Sequence, residues 1–281
     1  MLSLINFNIF AQSDYQSRIQ KWREKRENDL KADDGWLTLT NLTWLKEGVN
    51  TVGSKAGSDI KLPGSTAPEV GSIDFKAGSA KLSVNPGVNV LGDGRQIQEI
   101  ELKSDADGKP TIVQLGDVSF ALIKREDRYG IRVRDKNSPN RAKFTNLHWF
   151  PVDETYLVTA NFEAYSQSKE IEIPNVLGGT FKMESPGLLK FKIGGKDYSL
   201  EPVEEGDQYF IIFNDLTSRT TTYQPGRFLY SAKAENGKVV LDFNQAYNPP
   251  CAFTEYATCP LPPAQNRLKT EIKAGEMRYD H

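Results

Sequence analysis

From Trp36 onward the sequence consists of short runs rich in β-branched and aromatic residues, separated by glycine, proline, asparagine and aspartate. In the first half these runs are LTLTNLTWL, VNTVGS, SDIKLP, KLSVN, VNVLG, TIVQLG, VSFALIKR and YGIRVRD. Each run has the length of a strand, and the runs recur roughly every 8–12 residues, which is typical of sandwiches and partly open barrels. The sequence therefore predicts a mainly β protein of two packed antiparallel β blocks with one N-terminal helix.

A second block of strand-like runs extends from about Lys143 to Asn244. It contains LLKFKI-GG-KDYSLEPV, in which Gly194 and Gly195 fit a tight hairpin turn. No clean linker separates the blocks, and Asp135–Asn140 is the best candidate. We therefore expect a first, sandwich-like β block over residues 36–138 and a second over residues 139–281 that includes a proline-rich C-terminal segment.

Residues 13–35 are predicted to form the one long helix. Asp14 can cap its N-terminus and Gly35 can end it. The apolar stripe consists of Tyr15, Ile19, Trp22 and Leu30. The residues expected to face solvent are Lys21, Arg23, Glu24, Lys25, Arg26 and Glu27.

Residues 1–12 begin with a short apolar block that ends in Ala11-Gln12-Ser13. This pattern predicts the remnant of a signal peptide cleaved after Ala11, although a basic region is absent at its start. Export would place the protein in the periplasm or outside the cell, where two cysteines can pair. The alternative is a cytoplasmic protein whose apolar N-terminal arm packs on its body.

Composition and motifs argue against several classes of partner. The formal net charge of −2 over 281 residues gives no electrostatic reason to expect nucleic acid or an anionic membrane. No apolar run reaches the roughly 18 residues of a transmembrane helix. No nucleophile elbow, phosphate loop, dinucleotide fingerprint or metal-ligand spacing occurs, so we expect neither a cofactor nor a metal. His148 is expected to be a structural or surface residue.

The runs RFLYSAKAE and KVVLDFN flank Asn236-Gly237, the strongest two-residue hairpin signal. The turn predicts a continuous ladder, with an apolar face directed at the core and a polar face directed away from it. The core face would carry Phe228, Tyr230 and Ala232 with Leu241, Phe243 and Gln245. The other face would carry Arg227, Leu229 and Ser231 with Asp242, Asn244 and Ala246.

The segment Asp242–Leu268 combines both cysteines with five of the 15 prolines and shows no periodicity. Prolines stiffen a chain, so the segment can present polar side chains at low entropic cost. With the GRFL strand it is predicted to form a pocket for a small polar ligand. The candidate ligand-binding residues are Arg227, Asp242, Asn244, Tyr247, Asn248, Tyr256, Asn266 and Arg267. The alternative is a structural cap whose polar side chains satisfy backbone carbonyls. Under either interpretation Glu276 could pair with an arginine.

Cys251 and Cys259 lie eight residues apart in this segment and allow four interpretations. They could form a disulfide or remain as two free thiols. One could be a catalytic thiolate whose pKa is lowered by Arg227 or Arg267. A metal site is the weakest interpretation, because neither histidine has a suitable spacing to the cysteines.

Four segments carry a family resemblance: GWLTLTNLTWLKEGVNTVGS, IRVRDKNSP, TTTYQPGRFLY and DFNQAYNPPCAFTEYATCPLPPAQNRLKTEIKAGE. They resemble the bacterial family called domain of unknown function 1684. The resemblance implies that Arg227, Asn248, Cys251, Cys259, Asn266 and Arg267 belong to the family signature. Some proteins of this kind look cytosolic, which weakens the disulfide interpretation.

A second likeness concerns the first β block. Gly48, Asn50, Gly53 and Ser58-Asp59-Ile60 look like the opening of a forkhead-associated β-sandwich, which reads phosphothreonine. Ser54 stands where those readers carry an arginine, and no Ser-x-x-His follows. The likeness therefore implies the sandwich without the phosphopeptide site.

Three functional hypotheses follow. The first is an exported protein that binds a small polar ligand in the pocket named above. The second is an enzyme, a hydrolase or a thiol-dependent activity, that uses the same residues. The third is a structural or partner-binding module.

Overall fold

The computed structural model describes residues 3–279, with side chains described from residue 13 onward. The chain divides into two compact units. We call Leu30–Phe144 the N-terminal β unit, and residues up to Asp29 together with residues from Thr145 onward the C-terminal β unit. The structure is mainly β with several antiparallel sheets and one long N-terminal helix, which confirms the predicted fold class.

The N-terminal β unit contains two sheets that share one hydrophobic core. The six-stranded sheet has the order β1-β11-β10-β9-β6-β7, and the five-stranded sheet the order β3-β2-β4-β5-β8. The strands are β1 (Leu39–Trp44), β2 (Gly48–Gly53), β3 (Ile60–Lys61), β4 (Gly71–Lys76), β5 (Ser79–Val84), β6 (Leu91–Gly92), β7 (Arg95–Gln96), β8 (Glu99–Glu101), β9 (Ile112–Leu115), β10 (Val118–Arg125) and β11 (Arg128–Asp135). This is the predicted sandwich.

All eight sequence runs of this unit contain a strand, whereas β4, β7 and β8 were not predicted. The β4 sequence, GSIDFK, has only two large apolar residues, and β7 and β8 are two and three residues long, so their local signal is weak. The predicted linker Asp135–Asn140 contains the end of β11 and the start of the short helix α2 (Pro139–Lys143), whose N-cap is Ser138.

The C-terminal β unit has a four-stranded sheet, β14-β13-β12-β18, and a three-stranded sheet, β15-β16-β17. Its strands are β12 (Leu157–Pro174), β13 (Thr180–Ile193), β14 (Lys196–Leu200), β15 (Val203–Glu205), β16 (Gln208–Phe213), β17 (Arg227–Ala232) and β18 (Lys238–Asp242). The predicted hairpin at Gly194 and Gly195 is confirmed, because β13 and β14 pair up to Ile193 and Lys196 on either side of it.

The long helix α1 spans Ser3–Lys31, so Asp14 lies inside the helix and Gly35 lies beyond its end. The predicted apolar stripe is correct, since Tyr15, Ile19 and Leu30 are buried. The predicted signal segment is residues 1–12. Residues 1 and 2 lie outside the described residues, and for residues 3–12 only the backbone is described. Export therefore stays a prediction. Within residues 3–279 no helix is both long enough and apolar enough to cross a bilayer.

The predicted solvent-facing side of α1 is wrong for three charged residues. Arg23 is buried and donates to the carbonyl of Phe150, while Glu27 accepts from the backbone N–H of Leu147. Arg26 is also directed inward. These residues follow Tyr15 and Ile19 at helical spacings of three and four, so they extend the inner stripe of the helix.

The Asn236-Gly237 turn forms as predicted, but the long hairpin ladder does not. Asn236 and Gly237 have φ values of 50° and 71°, and Glu235 and Lys238 exchange two backbone hydrogen bonds of 2.9 Å. Beyond this pair the two strands separate into different sheets, β17 pairing with β16 and β18 with β12. Farther from the turn, within residues 13–279, one antiparallel bridge pairs Phe228 with Tyr247.

The predicted division of faces is consequently wrong. Leu229, expected on the outer face, packs in the same core as Leu241 and Phe243. Phe228 and Tyr230, expected on the core face, instead contact the ring of Phe210. Each strand has a neighbouring sheet to pair with, so the face that it buries depends on that sheet and not on the local turn.

Candidate functional site

The C-terminal segment Asp242–Leu268 runs over the C-terminal β unit as irregular backbone. Past the end of β18 it forms three short 3₁₀ turns, at Phe243–Gln245, Pro250–Ala252 and Ala264–Asn266. A disulfide joins Cys251 and Cys259, whose Cα atoms are 6.1 Å apart. The backbone N–H of each cysteine also points at the sulfur of the other, at 3.1 and 3.3 Å. The middle of the segment is therefore a small cross-linked loop.

Arg227, at the start of β17, forms a fully buried ion pair. Its Nη2 lies 2.9 Å from Oδ2 of Asp215, and neither side chain is exposed. The guanidinium also donates to the carbonyls of Ile272, at 3.0 Å, and Ala274. Oδ1 of Asp215 accepts from the backbone N–H groups of Thr217 and Ile272. This network ties β17 to the last residues of the chain.

Asp242 and Asn244 form a second network with α1. The Tyr15 hydroxyl donates to Oδ1 of Asp242 at 2.8 Å, and Nδ2 of Asn244 donates to the Tyr15 oxygen at 2.9 Å. Asn244 also exchanges two hydrogen bonds with the backbone of Asp153. Burial, followed by the bond to Asp242, raises the pKa of Tyr15 above its usual value, so the phenol stays protonated. The network holds the helix in place.

Asn248, Glu276 and Arg26 form a third buried network. Nδ2 of Asn248 donates to Oε1 of Glu276 and to the carbonyl of Met277, both at 2.8 Å. Nη2 of Arg26 donates to the carbonyl of Asn248 at 2.9 Å, and its Nε lies 3.5 Å from Oε2 of Glu276. The guanidinium also lies 4.6 Å from the centroid of the Tyr247 ring. Glu276 thus pairs with an arginine, as the sequence suggested.

Burial dominates the proton equilibria of this network. It raises the pKa of Glu276 to about 7, although Arg26 and Asn248 act in the opposite direction. Burial likewise raises the pKa of Tyr247 to about 12. The carboxyl of Glu276 therefore titrates near neutral pH, which an exposed glutamate does not do.

Asn266 satisfies three backbone groups of neighbouring strands. Its Nδ2 donates to the carbonyls of Glu201, at 2.9 Å, and Ile212, at 3.0 Å. Its Oδ1 accepts from the N–H of Glu201 at 2.7 Å. The side chain is 1% exposed, and both of its N–H groups donate to backbone carbonyls. It therefore connects the segment to the sheets and is not accessible to a ligand.

The predicted site residues therefore do not meet in one pocket. Four of them are at most 1% exposed and bind backbone groups or other side chains of the protein: Arg227, Asn244, Asn248 and Asn266. Asp242 and Tyr247 are half-buried within the same networks. Tyr256 is half-buried, and its backbone N–H donates to the hydroxyl of Thr254 at 3.2 Å. Arg267 is exposed.

Arg267 lines a cleft of about 460 Å³ in the C-terminal β unit, which we call the Arg267 cleft. The end of β12 and the start of β13 form one wall, and the proline-rich segment forms the other. Apolar walls come from Ile171, Pro174, Pro262 and Pro263, and polar groups from Glu172, Thr180 and Gln265. Within residues 13–279 the Arg267 side chain has no hydrogen bond or ion-pair partner, whereas Gln265 donates to Glu201 at 2.6 Å.

Sequence reasoning missed the partners of these networks, above all Arg26, Asp215 and Tyr15. A signal existed for Arg26, because it falls at helical spacing on the stripe that begins with Tyr15. No such signal marks Asp215, which lies in a turn between β16 and β17. His148 is exposed, as expected. Among the residues that the structure describes, no group of three or more potential ligands could hold a metal ion.

Residues 142–277 match the model of the family described as Protein of unknown function (DUF1684), which confirms the family resemblance for this part of the chain. The segments GWLTLTNLTWLKEGVNTVGS and IRVRDKNSP lie before the matched residues. No curated protein matches the chain at a significant level.

Two solved structures are similar to parts of the chain. An uncharacterised protein of Haloarcula marismortui, solved by NMR, is 28% identical over 49% of this chain and 78% of its own, with a TM-score of 0.41. The FhaA FHA domain, complexed with the intracellular domain of Rv3910, is 21% identical over 33% of this chain and 97% of its own, with a TM-score of 0.24. Both superpositions are too loose to support an argument about function.

Proposed function

We propose that the protein binds a small polar ligand in the Arg267 cleft, with no chemical step. The observation that carries this proposal is the uncommitted guanidinium of Arg267 in a cleft with apolar proline walls. The volume of about 460 Å³ falls within the range of small-molecule sites. A free guanidinium recognises planar or tetrahedral anions through two parallel hydrogen bonds. The ligand therefore carries a carboxylate or a similar anionic group.

The site differs from the pocket predicted from the sequence. The C-terminal segment contributes Pro262, Pro263 and Arg267 to the cleft, but the GRFL strand contributes nothing to its lining. Glu172 lies in the same cleft, so a ligand with a cationic group beside its carboxylate would match both charges. A zwitterion of amino-acid size is the simplest molecule of this kind.

Replacing Arg267 with glutamine should weaken binding of such a ligand by about tenfold or more, because a charge-assisted pair contributes about 1.5–3 kcal/mol. We would titrate the protein with a panel of free amino acids and short carboxylates by isothermal titration calorimetry. Lys269→Gln is the matched control, since Lys269 is exposed, lies two residues away and is not part of the cleft lining. Equal affinity of wild type and Arg267→Gln for every ligand that binds would reject the proposal.

The enzyme hypothesis is the second candidate, but no specific observation favours it. A hydrolase or thiol enzyme needs a nucleophile beside a base. Both cysteines form the disulfide, so neither is a free nucleophile. Within residues 13–279 the side chain of His148 makes no hydrogen bond, and only its backbone carbonyl accepts one. A binding role fits these residues better.

We also propose that the protein is exported, supported by the apolar block before Ala11 and by the disulfide. Closing a loop with a sequence separation of 8 should stabilise the fold by about 2.5 kcal/mol in the chain-entropy estimate. Intact-mass measurement of protein from its native compartment, with and without reductant, tests both the export and the disulfide. We expect a chain that begins at Gln12 and carries no alkylatable thiol. Two free thiols on a chain that begins at Met1 would contradict the proposal.

The double variant Cys251→Ser with Cys259→Ser lacks the disulfide. Its free energy of unfolding, measured by urea denaturation, should therefore be lower by about 2.5 kcal/mol.

A further inference from the structure

The outer face of the six-stranded sheet in the N-terminal β unit carries a cluster of arginines. The pairing of β10 with β11 places Ser119 opposite Arg134 and Ala121 opposite Arg132. The alternate residues of the two strands, among them Ile131 and Val133, belong to the hydrophobic core. Because successive side chains point to opposite faces, both arginines and Ser119 share the face turned away from that core.

These residues line a partly enclosed cavity of about 150 Å³. Ile112 of β9 lies opposite Ala121 and closes one side, and Asp105 and Pro110 close another. A water needs at least about 10–15 Å³ of such space, so the cavity has room for several waters. It can accommodate one small anion.

The charges around the cavity are unbalanced toward positive. Asp105 is the acidic residue of the lining, and it already pairs with Arg125 at 2.8 Å and accepts from the backbone N–H of Lys124 at 2.9 Å. Arg134 uses Nη1 on neutral oxygens, the carbonyl of Gly35 and the hydroxyl of Thr38. The carboxylate of Asp34 also acts on Arg134. Counting Arg125, Arg132 and Arg134 against Asp105 and Asp34 leaves an excess of one positive charge.

The two lining guanidiniums are shielded from water. Arg132 is 8% exposed, and the ring of Trp36 lies 5.5 Å from its guanidinium and 5.6 Å from that of Arg134. Burial, with the nearby charges of Arg125 and Arg134, lowers the pKa of Arg132 to about 10. Bringing like charges together under such conditions is unfavourable, and a bound anion would relieve it.

We propose that this cavity binds one phosphate group, either inorganic phosphate or the phosphate of a small monoester. A phosphate carries about −1.5 to −2 charges at neutral pH and offers three strong acceptor oxygens, whereas a carboxylate offers two. Arg132 and Arg134 supply charged donors, and the hydroxyl of Ser119, which makes no hydrogen bond within residues 13–279, supplies a neutral one. The likeness to a phosphothreonine reader concerns Gly48–Ile60 and not this sheet, so the site is a different one.

Titration of the full-length protein with inorganic phosphate by isothermal titration calorimetry, at constant ionic strength, tests the proposal. We expect one site per chain, with acetate binding at least tenfold more weakly. Phenyl phosphate is a second ligand, and tighter binding of it than of inorganic phosphate identifies a monoester as the natural ligand. Equal binding of acetate and phosphate, or no binding of either phosphate compound, would overturn the proposal.

Variants locate the site. Arg132→Gln should weaken phosphate binding about a hundredfold, and Ser119→Ala about tenfold, as expected for charged and charge-assisted hydrogen bonds. Arg95→Gln and Ser83→Ala, which remove exposed side chains of the same unit outside the cavity lining, should leave affinity unchanged. Should Arg132→Gln fail to fold, Ser119→Ala still decides the matter. Unchanged affinity in Ser119→Ala, or an equal loss in Arg95→Gln, contradicts the assignment. Arg267→Gln should bind phosphate normally, which separates this site from the Arg267 cleft.

Discussion

Replacing Arg227 with methionine is expected to lower the free energy of unfolding by about 3–5 kcal/mol. Arg227 and Asp215 are both fully buried, so the substitution leaves the carboxylate of Asp215 as a buried charge without its partner. It also leaves the carbonyls of Ile272 and Ala274 without this donor. Methionine fills a similar volume, so most of the loss is electrostatic and not a cavity effect. Urea denaturation followed by tryptophan fluorescence measures it.

Two further variants separate the ion pair from a general effect of losing an arginine. Arg219→Met removes an exposed arginine of the neighbouring turn and should change stability by less than about 0.5 kcal/mol. In the double variant Arg227→Met with Asp215→Asn, both charges are absent while Asn can still accept from Thr217. Its loss should be smaller than the sum of the two single losses. A cost of less than about 1 kcal/mol for Arg227→Met would mean that the pair does not hold the last residues of the chain.

The strand pattern could be predicted because it is local. In β10 and β11 apolar residues alternate with polar ones, so period and length identify each strand without knowledge of its partner. The Asn236-Gly237 turn was equally clear. The sequence could not show how far the ladder would extend, because that depends on competition from β12 and β16, which are distant in the chain.

The site was harder to predict than the fold. The C-terminal segment was correctly recognised as constrained, but the partners that decide the role of each residue lie far away. Asn266 binds backbone groups of Glu201 and Ile212, and Asn248 binds Glu276. Of the two interpretations made from sequence, the structural cap describes these residues better. Arg267 stays a ligand-binding candidate because it has no such partner.

The charged residues of α1 illustrate the same limit. Arg26 was predicted to face solvent because a charged residue on a helix usually does. Its partner Glu276 lies 250 residues away, and nothing near Arg26 in the sequence points to it. The burial of Glu276, which raises the pKa of its carboxyl, could not be predicted from composition either.

The stability of the protein should fall by roughly 3 kcal/mol as the pH rises from about 4.5 to about 7, through Glu276 alone. Burial raises the pKa of this carboxyl to about 7 in the folded protein, whereas it is near 4.5 in the unfolded chain. Below about pH 4.5 both states are protonated, and the folded state keeps its full stability. Between the two values the unfolded chain loses the proton first, so unfolding becomes progressively easier. Above about pH 7 both states are ionised and the loss is complete.

Glu276→Gln isolates this contribution from all other titrating groups. Glutamine has the same shape and can accept from Nδ2 of Asn248 as the carboxyl does. The difference in free energy of unfolding between wild type and variant should therefore move in favour of the variant from pH 4.5 to 8. Glu235→Gln, which changes an exposed carboxyl in the turn after β17, should give a flat difference. A flat difference for Glu276→Gln as well would show that Arg26 and Asn248 keep the buried carboxyl ionised, and that the helix is held by a permanent ion pair.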